Sequence, residues 1–121
     1  MKFRLLFLAI FISQITFSQT VDCNDLMKYV KENGKKIHSI TSIQLINSSW
    51  LSWIDAYEIE GKIVVIAKIK KDKISLSSKE YIFCDINRRN WDNFSLGIYD
   101  FGKSYGERFQ KYIFNNQCAC Y

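Results

Sequence analysis

The sequence predicts an α+β fold: an antiparallel β-meander of about four strands with one N-terminal and two C-terminal helices, disulfide-stapled. Three observations predict it. Strand-like segments follow one another between residues 36 and 84, with short polar connections. Apolar residues at helical spacing precede and follow this block, and four cysteines are spread along the chain. Because the connections are too short for crossover helices, the strands should pair antiparallel. We expect the helices to gather on one face of the sheet.

Residues 1–18 have the layout of a secretory signal peptide. Lys2 and Arg4 precede a short apolar run, and polar residues follow it. The run is shorter than the roughly 20 residues that a membrane-spanning helix needs. Cleavage after Ser18 would leave residues 19–121 as a single mature α+β domain, which we expect to be secreted or periplasmic.

The mature chain begins with a predicted helix over residues 22–33. Asp22 can cap it, and Asp25 places a carboxylate in the first turn, where the helix dipole favours negative charge. The apolar face repeats at helical spacing and consists of Cys23, Leu26, Met27 and Val30. Asn33-Gly34 then ends the helix.

Four strands are predicted next. Residues 36–46 alternate, with Thr41, Ile43 and Leu45 on one side. Residues 50–59 are rich in aromatic and β-branched side chains, and Glu60-Gly61 indicates a tight turn. Residues 63–67 are apolar on both faces, as in a central strand, and alternation resumes as far as Lys70. Residues 71–78 form a polar loop or a continuing strand, and residues 80–84 form the last strand.

Two helices close the predicted fold. Asn87 caps the first, on which Trp91 and Phe94 share a face, and the glycine-containing segment 95–102 is a loop. Ser104 and Glu107 have the spacing of a capping box for the second helix. Its apolar stripe, which we expect to pack on the sheet, consists of Tyr105, Phe109, Tyr112 and Ile113.

The four cysteines predict two disulfides, because an even number in a short exported chain is typical of a stapled domain. A bridge between Cys118 and Cys120 is geometrically poor, since one residue separates them. Cys23 and Cys84 should therefore each pair with one of these two, in either order. The alternatives are a metal site or a redox pair at residues 118–120. The single spacer fits neither zinc ligand pairs nor redox pairs, and we expect no metal or other cofactor.

Residues 48–113 resemble the KTSC domain, a short domain named from the C-terminus of some lysyl-tRNA synthetases and also found alone. The matching positions are Tyr57, Tyr81, Phe83, Trp91, Ser104, Gly106, Phe109 and Ile113. Asn87 stands where the family usually has proline, and the segments 68–80 and 95–103 are longer than usual. The N-terminal helix and the four cysteines lie outside the short domain pattern and suggest a secreted bacterial single-domain form. The resemblance implies no settled activity. The synthetase fusion hints at RNA, which an exported protein would rarely meet.

The charge of the chain does not indicate a nucleic-acid binder. The net charge of +5 falls to +3 when Lys2 and Arg4 leave with the signal peptide, which is too mild for a nucleic-acid footprint. The densest basic patch, Lys68, Lys70, Lys71 and Lys73, reads as a solvated strand end. The alternative is weak binding of nucleic acid, of another anionic polymer or of a membrane surface through Lys68–Lys73.

Each candidate catalytic residue is explained better by a structural role than by catalysis, and we predict a non-enzymatic binding module. His38 is the one histidine, and a hydrolase would have to combine it with Asp55 or Asp85 and with Ser48 or Ser104, neither of which has a nucleophile elbow. A small hydrolase using His38, or a thiol-disulfide protein using Cys118 and Cys120, remains the alternative. The expected partner is a protein or an envelope polymer, contacted through exposed aromatic residues. Candidates are the loop 95–103 and the residues Trp50, Trp53, Tyr99 and Phe101.

Overall fold

The computed structural model describes residues 21–71 and 77–120. The predicted signal peptide and most of the polar segment 71–78 therefore lie outside the described residues. The predicted order of elements is confirmed: α1 (Cys23–Asn33), β1 (Lys35–Ile40), β2 (Leu51–Ile59), β3 (Lys62–Lys70), β4 (Ser78–Ile86), α2 (Arg88–Leu96) and α3 (Tyr105–Tyr112). A short 3₁₀ turn that we did not predict, Phe114–Asn116, follows α3.

The four strands form one antiparallel sheet in the order β1-β2-β3-β4, which is the predicted meander. Ile59 pairs with Lys62 across the turn between β2 and β3. Glu60 and Gly61 both have positive φ, 52° and 77°. Two central residues with positive φ define the type I′ turn, whose twist matches that of the strands that it joins.

The first strand is shorter than predicted. It ends at Ile40, and residues 42–47 form a turn in which the Leu45 N–H donates to the Thr41 carbonyl at 3.1 Å. The side chain of Gln44 holds this turn by accepting a hydrogen bond from the Thr41 N–H. Leu45 is buried and Ile43 is 79% exposed, so the prediction that they share one side of a strand is wrong.

The helices lie on both faces of the sheet, and the prediction that they gather on one face is wrong. Buried residues of α2 and α3, such as Trp91 and Phe109, pack with Val65 of β3 in one core cluster. Met27 of α1 packs with the next residue of β3, Val64, in a second cluster. Because successive side chains of a strand point to opposite faces, β3 is covered from both sides.

The predicted N-caps of all three helices are confirmed. Asn87 accepts a hydrogen bond from the Asn90 N–H at 2.8 Å. Ser104 and Glu107 form a reciprocal capping box at the start of α3. Asp22 caps α1 in the same way, with the Asn24 N–H as donor. Such caps satisfy backbone donors that a helix start leaves without partners.

The C-terminal tail returns to the sheet and carries both disulfides. Gln117 forms a bridge with Phe83 on the outer edge of β4, and the Cys118 N–H donates to the Ile82 carbonyl. This places Cys118 on Cys84 and Cys120 on Cys23, with Cα–Cα distances of 4.9 and 5.1 Å. The prediction that Cys23 and Cys84 each pair with one of the C-terminal cysteines is confirmed, and the order is now fixed.

Candidate functional site

The segment that joins α2 to α3 exposes large apolar side chains. We call residues 96–103 the apolar loop, which lies within the predicted contact loop 95–103. Leu96 and Ile98 are each 65% exposed, Tyr99 is 78% exposed and Phe101 is 97% exposed. The tip of the loop is therefore surrounded almost entirely by solvent. Single exposed apolar residues are common on protein surfaces, but a contiguous group of them marks a contact site.

A buried carboxylate holds the apolar loop from beneath. Asp100 is only 4% exposed, although its neighbours Tyr99 and Phe101 face solvent. It accepts hydrogen bonds from Lys111 Nζ at 2.7 Å and from the Tyr112 hydroxyl at 2.5 Å. These two hydrogen bonds lower the pKa of Asp100, and the first of them raises the pKa of Lys111. The loop is thus fixed to the last turn of α3 by charge-assisted hydrogen bonds.

Arg108 fixes both ends of the loop. Its Nε donates to the Phe94 carbonyl at 2.8 Å, and its Nη1 donates to the Lys103 carbonyl at 2.7 Å. Gly97 ends α2 in the left-handed conformation, with φ of 69°. A Cβ at Gly97 would lie 2.9 Å from Cζ of Arg108, so both the backbone angle and the space favour glycine here. The exposed side chains therefore stand on an ordered support.

A shallow depression of about 520 Å³ lies where the apolar loop meets α2. Leu96, Ile98 and Tyr99 line it together with polar residues of α2, among them the exposed Arg89. Asp92, also on its wall, lies 3.8 Å from Arg88. The wall of the depression therefore combines apolar side chains with one basic and one acidic side chain, Arg89 and Asp92.

No known family, curated protein or solved structure matches this chain. The KTSC resemblance stays a prediction, and the function has to be inferred from the geometry of the chain itself.

The residues that carry the KTSC resemblance have structural positions. Phe83, Trp91, Phe109 and Ile113 are buried between the sheet and the last two helices. Tyr57 belongs to the core on the α1 side, and Tyr81 packs against the opposite core. Ser104 is the cap of α3, and Gly106 lets α3 approach Trp50, because a Cβ there would lie 2.5 Å from Trp50 Nε1. Packing in the core and capping of α3 therefore account for the residue types at the positions that resemble the KTSC domain.

The residues considered for a hydrolase are not brought together. His38 packs edge-on against Trp91 at 5.7 Å, on the face that α2 and α3 cover. Asp55 accepts hydrogen bonds from Ser39 and Trp53, and its buried neighbours Ile54 and Ala56 lie in the same core as Trp91. Since neighbouring strand residues alternate, Asp55 faces the other side of the sheet from His38.

The remaining hydrolase candidates have partners of their own. Asp85 is exposed and lies 3.3 Å from the Lys62 ammonium. Ser48 is buried and accepts hydrogen bonds from the backbone N–H groups of Trp50 and Leu51. Ser104 is occupied by the capping box. Each hydroxyl and carboxylate therefore has a structural role where it stands.

The cysteines are all bridged, and Cys118 is bonded to Cys84 rather than to Cys120. Within residues 21–71 and 77–120, no group of three His, Cys, Asp or Glu side chains is arranged as metal ligands. In the same part of the chain, no helix is long and apolar enough to cross a membrane.

The lysine patch and the two tryptophans near it are only partly free. Lys68 Nζ lies 5.8 Å from the ring centre of Trp53, and Lys70 donates to the Ser48 carbonyl at 3.5 Å. Lys71 is exposed, and Lys73 lies outside the described residues. Trp50 packs edge-on against Phe109 and Phe114. Of the aromatic residues predicted as contacts, Tyr99 and Phe101 are the ones that the structure leaves open to solvent.

Sequence reasoning found the loop but missed what supports it. No role for Asp100, Arg108 or Lys111 was predicted from the sequence. A signal was available: a single acidic residue stands between two aromatic ones, and Lys111-Tyr112 follows one helix later. The order of residues along the chain does not show that these groups meet. Their contact depends on how the backbone turns between Gly97 and Gly102, both of which have positive φ.

Proposed function

We propose that this chain is an exported, non-enzymatic binding module that contacts a component of the bacterial cell envelope through the apolar loop. The observation that carries the proposal is the contrast between Asp100 and its neighbours. The loop turns its only carboxylate inward and presents four large apolar side chains outward. Leaving apolar surface in water costs free energy that burial in a complex would recover.

Two further properties of the chain support the proposal. The two disulfides are typical of proteins in oxidising compartments, which agrees with the signal peptide expected at residues 1–18. The hydrogen bonds of Asp100, Arg108 and Lys111 tie the loop to α2 and α3 and so favour one arrangement of its backbone. A preorganised contact loop loses less conformational entropy on association than a flexible one.

Sedimentation of the purified protein with washed cell envelopes of the producing bacterium tests this function. We expect saturable retention of the disulfide-bonded mature protein. Replacing Tyr99→Ser and Phe101→Ser together should weaken retention at least about tenfold, since each side chain contributes on the order of 1.5 kcal/mol or more when buried.

The matched control is Tyr29→Ser, which removes a half-exposed tyrosine from α1 on the opposite face of the sheet. It should leave retention unchanged. Thermal unfolding should be similar for all three proteins, because none of the replaced side chains is buried. Equal retention of the double variant and the wild type would refute the loop as the contact site.

A further inference from the structure

The apolar loop combines an exposed apolar tip with positively charged side chains beside it. Phe101, at the tip, is almost fully exposed, whereas Lys103 and Arg89 are exposed at the base and beside the depression. Between residues 87 and 113 there are five basic and three acidic side chains, a net charge of +2.

The acidic side chains of this region are all engaged locally. Asp100 is bound by Lys111 and Tyr112, Asp92 lies beside Arg88, and Glu107 accepts a hydrogen bond from the Ser104 N–H. With all of these carboxylates counted, the region keeps its net charge of +2, so the surface around the loop carries apolar groups and an excess of cationic groups. This combination complements a surface that is anionic outside and apolar just beneath.

The size and shape of the patch disfavour a second copy of the chain as the occupant. Four side chains of this kind expose on the order of 600 Å² in all, whereas a stable dimer buries roughly 800 Å² on each partner together with its polar rim. A protruding tip also has no flat surface to offer to an identical tip. A soft apolar layer, into which the tip can sink, suits a convex shape.

We propose that the apolar loop inserts into the interfacial region of a bilayer that contains anionic lipids, and that this lipid surface is the envelope component that the protein binds. Phe101, Ile98 and Leu96 would enter the boundary between headgroups and acyl chains. Tyr99 would lie at headgroup depth, where aromatic residues with a polar end are favoured. Lys103 and Arg89 would face the lipid phosphates. This inference rests on the proposed function.

The test uses the mature disulfide-bonded protein and two kinds of vesicle, phosphatidylglycerol mixed with phosphatidylethanolamine, and phosphatidylcholine alone. We expect sedimentation with the anionic vesicles and weaker sedimentation with the neutral ones. Tyr99→Ser with Phe101→Ser should weaken binding to anionic vesicles at least about tenfold. Lys103→Gln should weaken it about fivefold, and only with anionic lipid. Tyr29→Ser is again the control.

A depth probe gives an independent readout. Phe101→Trp should show a blue-shifted emission component with anionic vesicles, and lipids brominated on their acyl chains should quench it. Tyr29→Trp, on α1, should show neither effect. Quenching at position 101 alone would establish insertion of the loop rather than adsorption of the protein by its net charge.

The outcomes separate this inference from the proposed function. If the wild type binds envelopes through Tyr99 and Phe101 but does not bind anionic vesicles, the lipid inference is wrong, and the loop serves a protein or polymer partner. If vesicle binding occurs but is unchanged by the loop substitutions, the lipid inference is also wrong. Failure to bind either envelopes or vesicles would overturn both proposals.

Discussion

Asp100 accepts hydrogen bonds from two side chains of α3, although the large side chains on either side of it face solvent. An unpaired carboxylate in this position would incur a large desolvation penalty. Lys111 and Tyr112 offset that penalty with two hydrogen bonds. They hold the backbone of the loop at Asp100, between the exposed side chains of Tyr99 and Phe101.

The stability contributed by Asp100 should depend on pH. Its folded-state pKa is lowered by hydrogen bonds from Lys111 and Tyr112, so its contribution is present above the unfolded-state pKa, roughly 4, and is lost as the pH falls through the lower folded-state pKa. Asp100→Asn should lower the Tm at neutral pH, and the difference from the wild type should shrink below about pH 4.

Circular dichroism melts across this pH range measure the effect. Asp92→Asn is the control, because the exposed pair with Arg88 is a surface contact that contributes little to stability. A difference between wild type and Asp100→Asn that stays constant from neutral to acidic pH would contradict the role assigned to the Asp100 carboxylate.

Gly106 shows how one residue sets the distance between α3 and the sheet. In an open helix position Gly→Ala stabilises by up to about 1 kcal/mol. Here the new methyl group would meet Trp50, which is wedged against Phe109 and Phe114. Overpacking of this kind costs about 1–3 kcal/mol. We expect Gly106→Ala to lower the free energy of unfolding by about 1 kcal/mol in urea denaturation.

Gln110→Ala is the control for this experiment, since Gln110 is exposed on the same helix. Its effect should stay within about 0.5 kcal/mol, as for most surface substitutions. A Gly106→Ala protein that is more stable than the wild type would show that Trp50 can move aside at little cost.

At the scale of elements, short-range signals predicted well where the determinant is local. The Asn87 cap, the capping box at Ser104 and the Glu60-Gly61 turn each depend on residues within a few positions, and all three are present. The end of β1 was missed because Ile43 and Leu45 keep the alternation of a strand. Burial of Leu45 from within a turn is a tertiary effect that alternation does not reveal.

The sequence of β3 already indicates that both faces of the sheet are covered. Residues 63–67 are apolar without alternation, which already requires cover on two sides. The apolar face of α1 needed a partner, and the second face of β3 supplies it through Met27 and Val64. The predicted single-sided arrangement came from the general habit of α+β folds rather than from these residues.

The disulfide between Cys23 and Cys120 ties α1 to the C-terminal tail. It should contribute more to the free energy of unfolding than the disulfide between Cys84 and Cys118. It spans 97 residues, against 34 for Cys84–Cys118. Disulfides typically stabilise by roughly 2–4 kcal/mol, and the longer loop should add about 1 kcal/mol through loop-closure entropy. Paired serine substitutions, Cys23→Ser with Cys120→Ser and Cys84→Ser with Cys118→Ser, test this in urea denaturation under oxidising conditions.

We expect both paired variants to unfold at lower urea than the wild type, the first by the larger margin. If removal of the Cys23–Cys120 bridge leaves the free energy of unfolding unchanged, the docking of α1 on the sheet is independent of that bridge.

At the scale of the whole molecule, the expectation of export can be checked by mass. Cleavage after Ser18 predicts that the purified protein begins at Gln19. Two disulfides predict that iodoacetamide adds nothing before reduction and labels all four cysteines after it. Intact-mass spectrometry of the protein recovered outside the cytoplasm measures both. A mass that includes residues 1–18 would contradict the signal peptide, and labelling before reduction would contradict the bridges.

The candidate site was predicted only in part. The sequence indicated an aromatic, glycine-containing loop but not the contacts that support it. In these contacts Arg108 of α3 donates to a carbonyl of α2, and Lys111 and Tyr112 donate to Asp100 of the loop. Such contacts depend on the packing angle of two helices, and periodicity fixes each helix without fixing that angle. The sequence narrowed the partner no further than a protein or an envelope polymer, because it does not show which apolar side chains stay exposed.

The pairing of Cys23 with Cys120 encloses nearly all of the domain in one covalent ring. A protease that cuts the chain once, anywhere between these two residues, leaves both pieces joined. The nicked protein would migrate as one species on a gel without reductant and separate into two with it. In surroundings rich in extracellular proteases, a first cut would therefore release no fragment, and the tethered pieces could keep their packing until a second cut or a reductant acted.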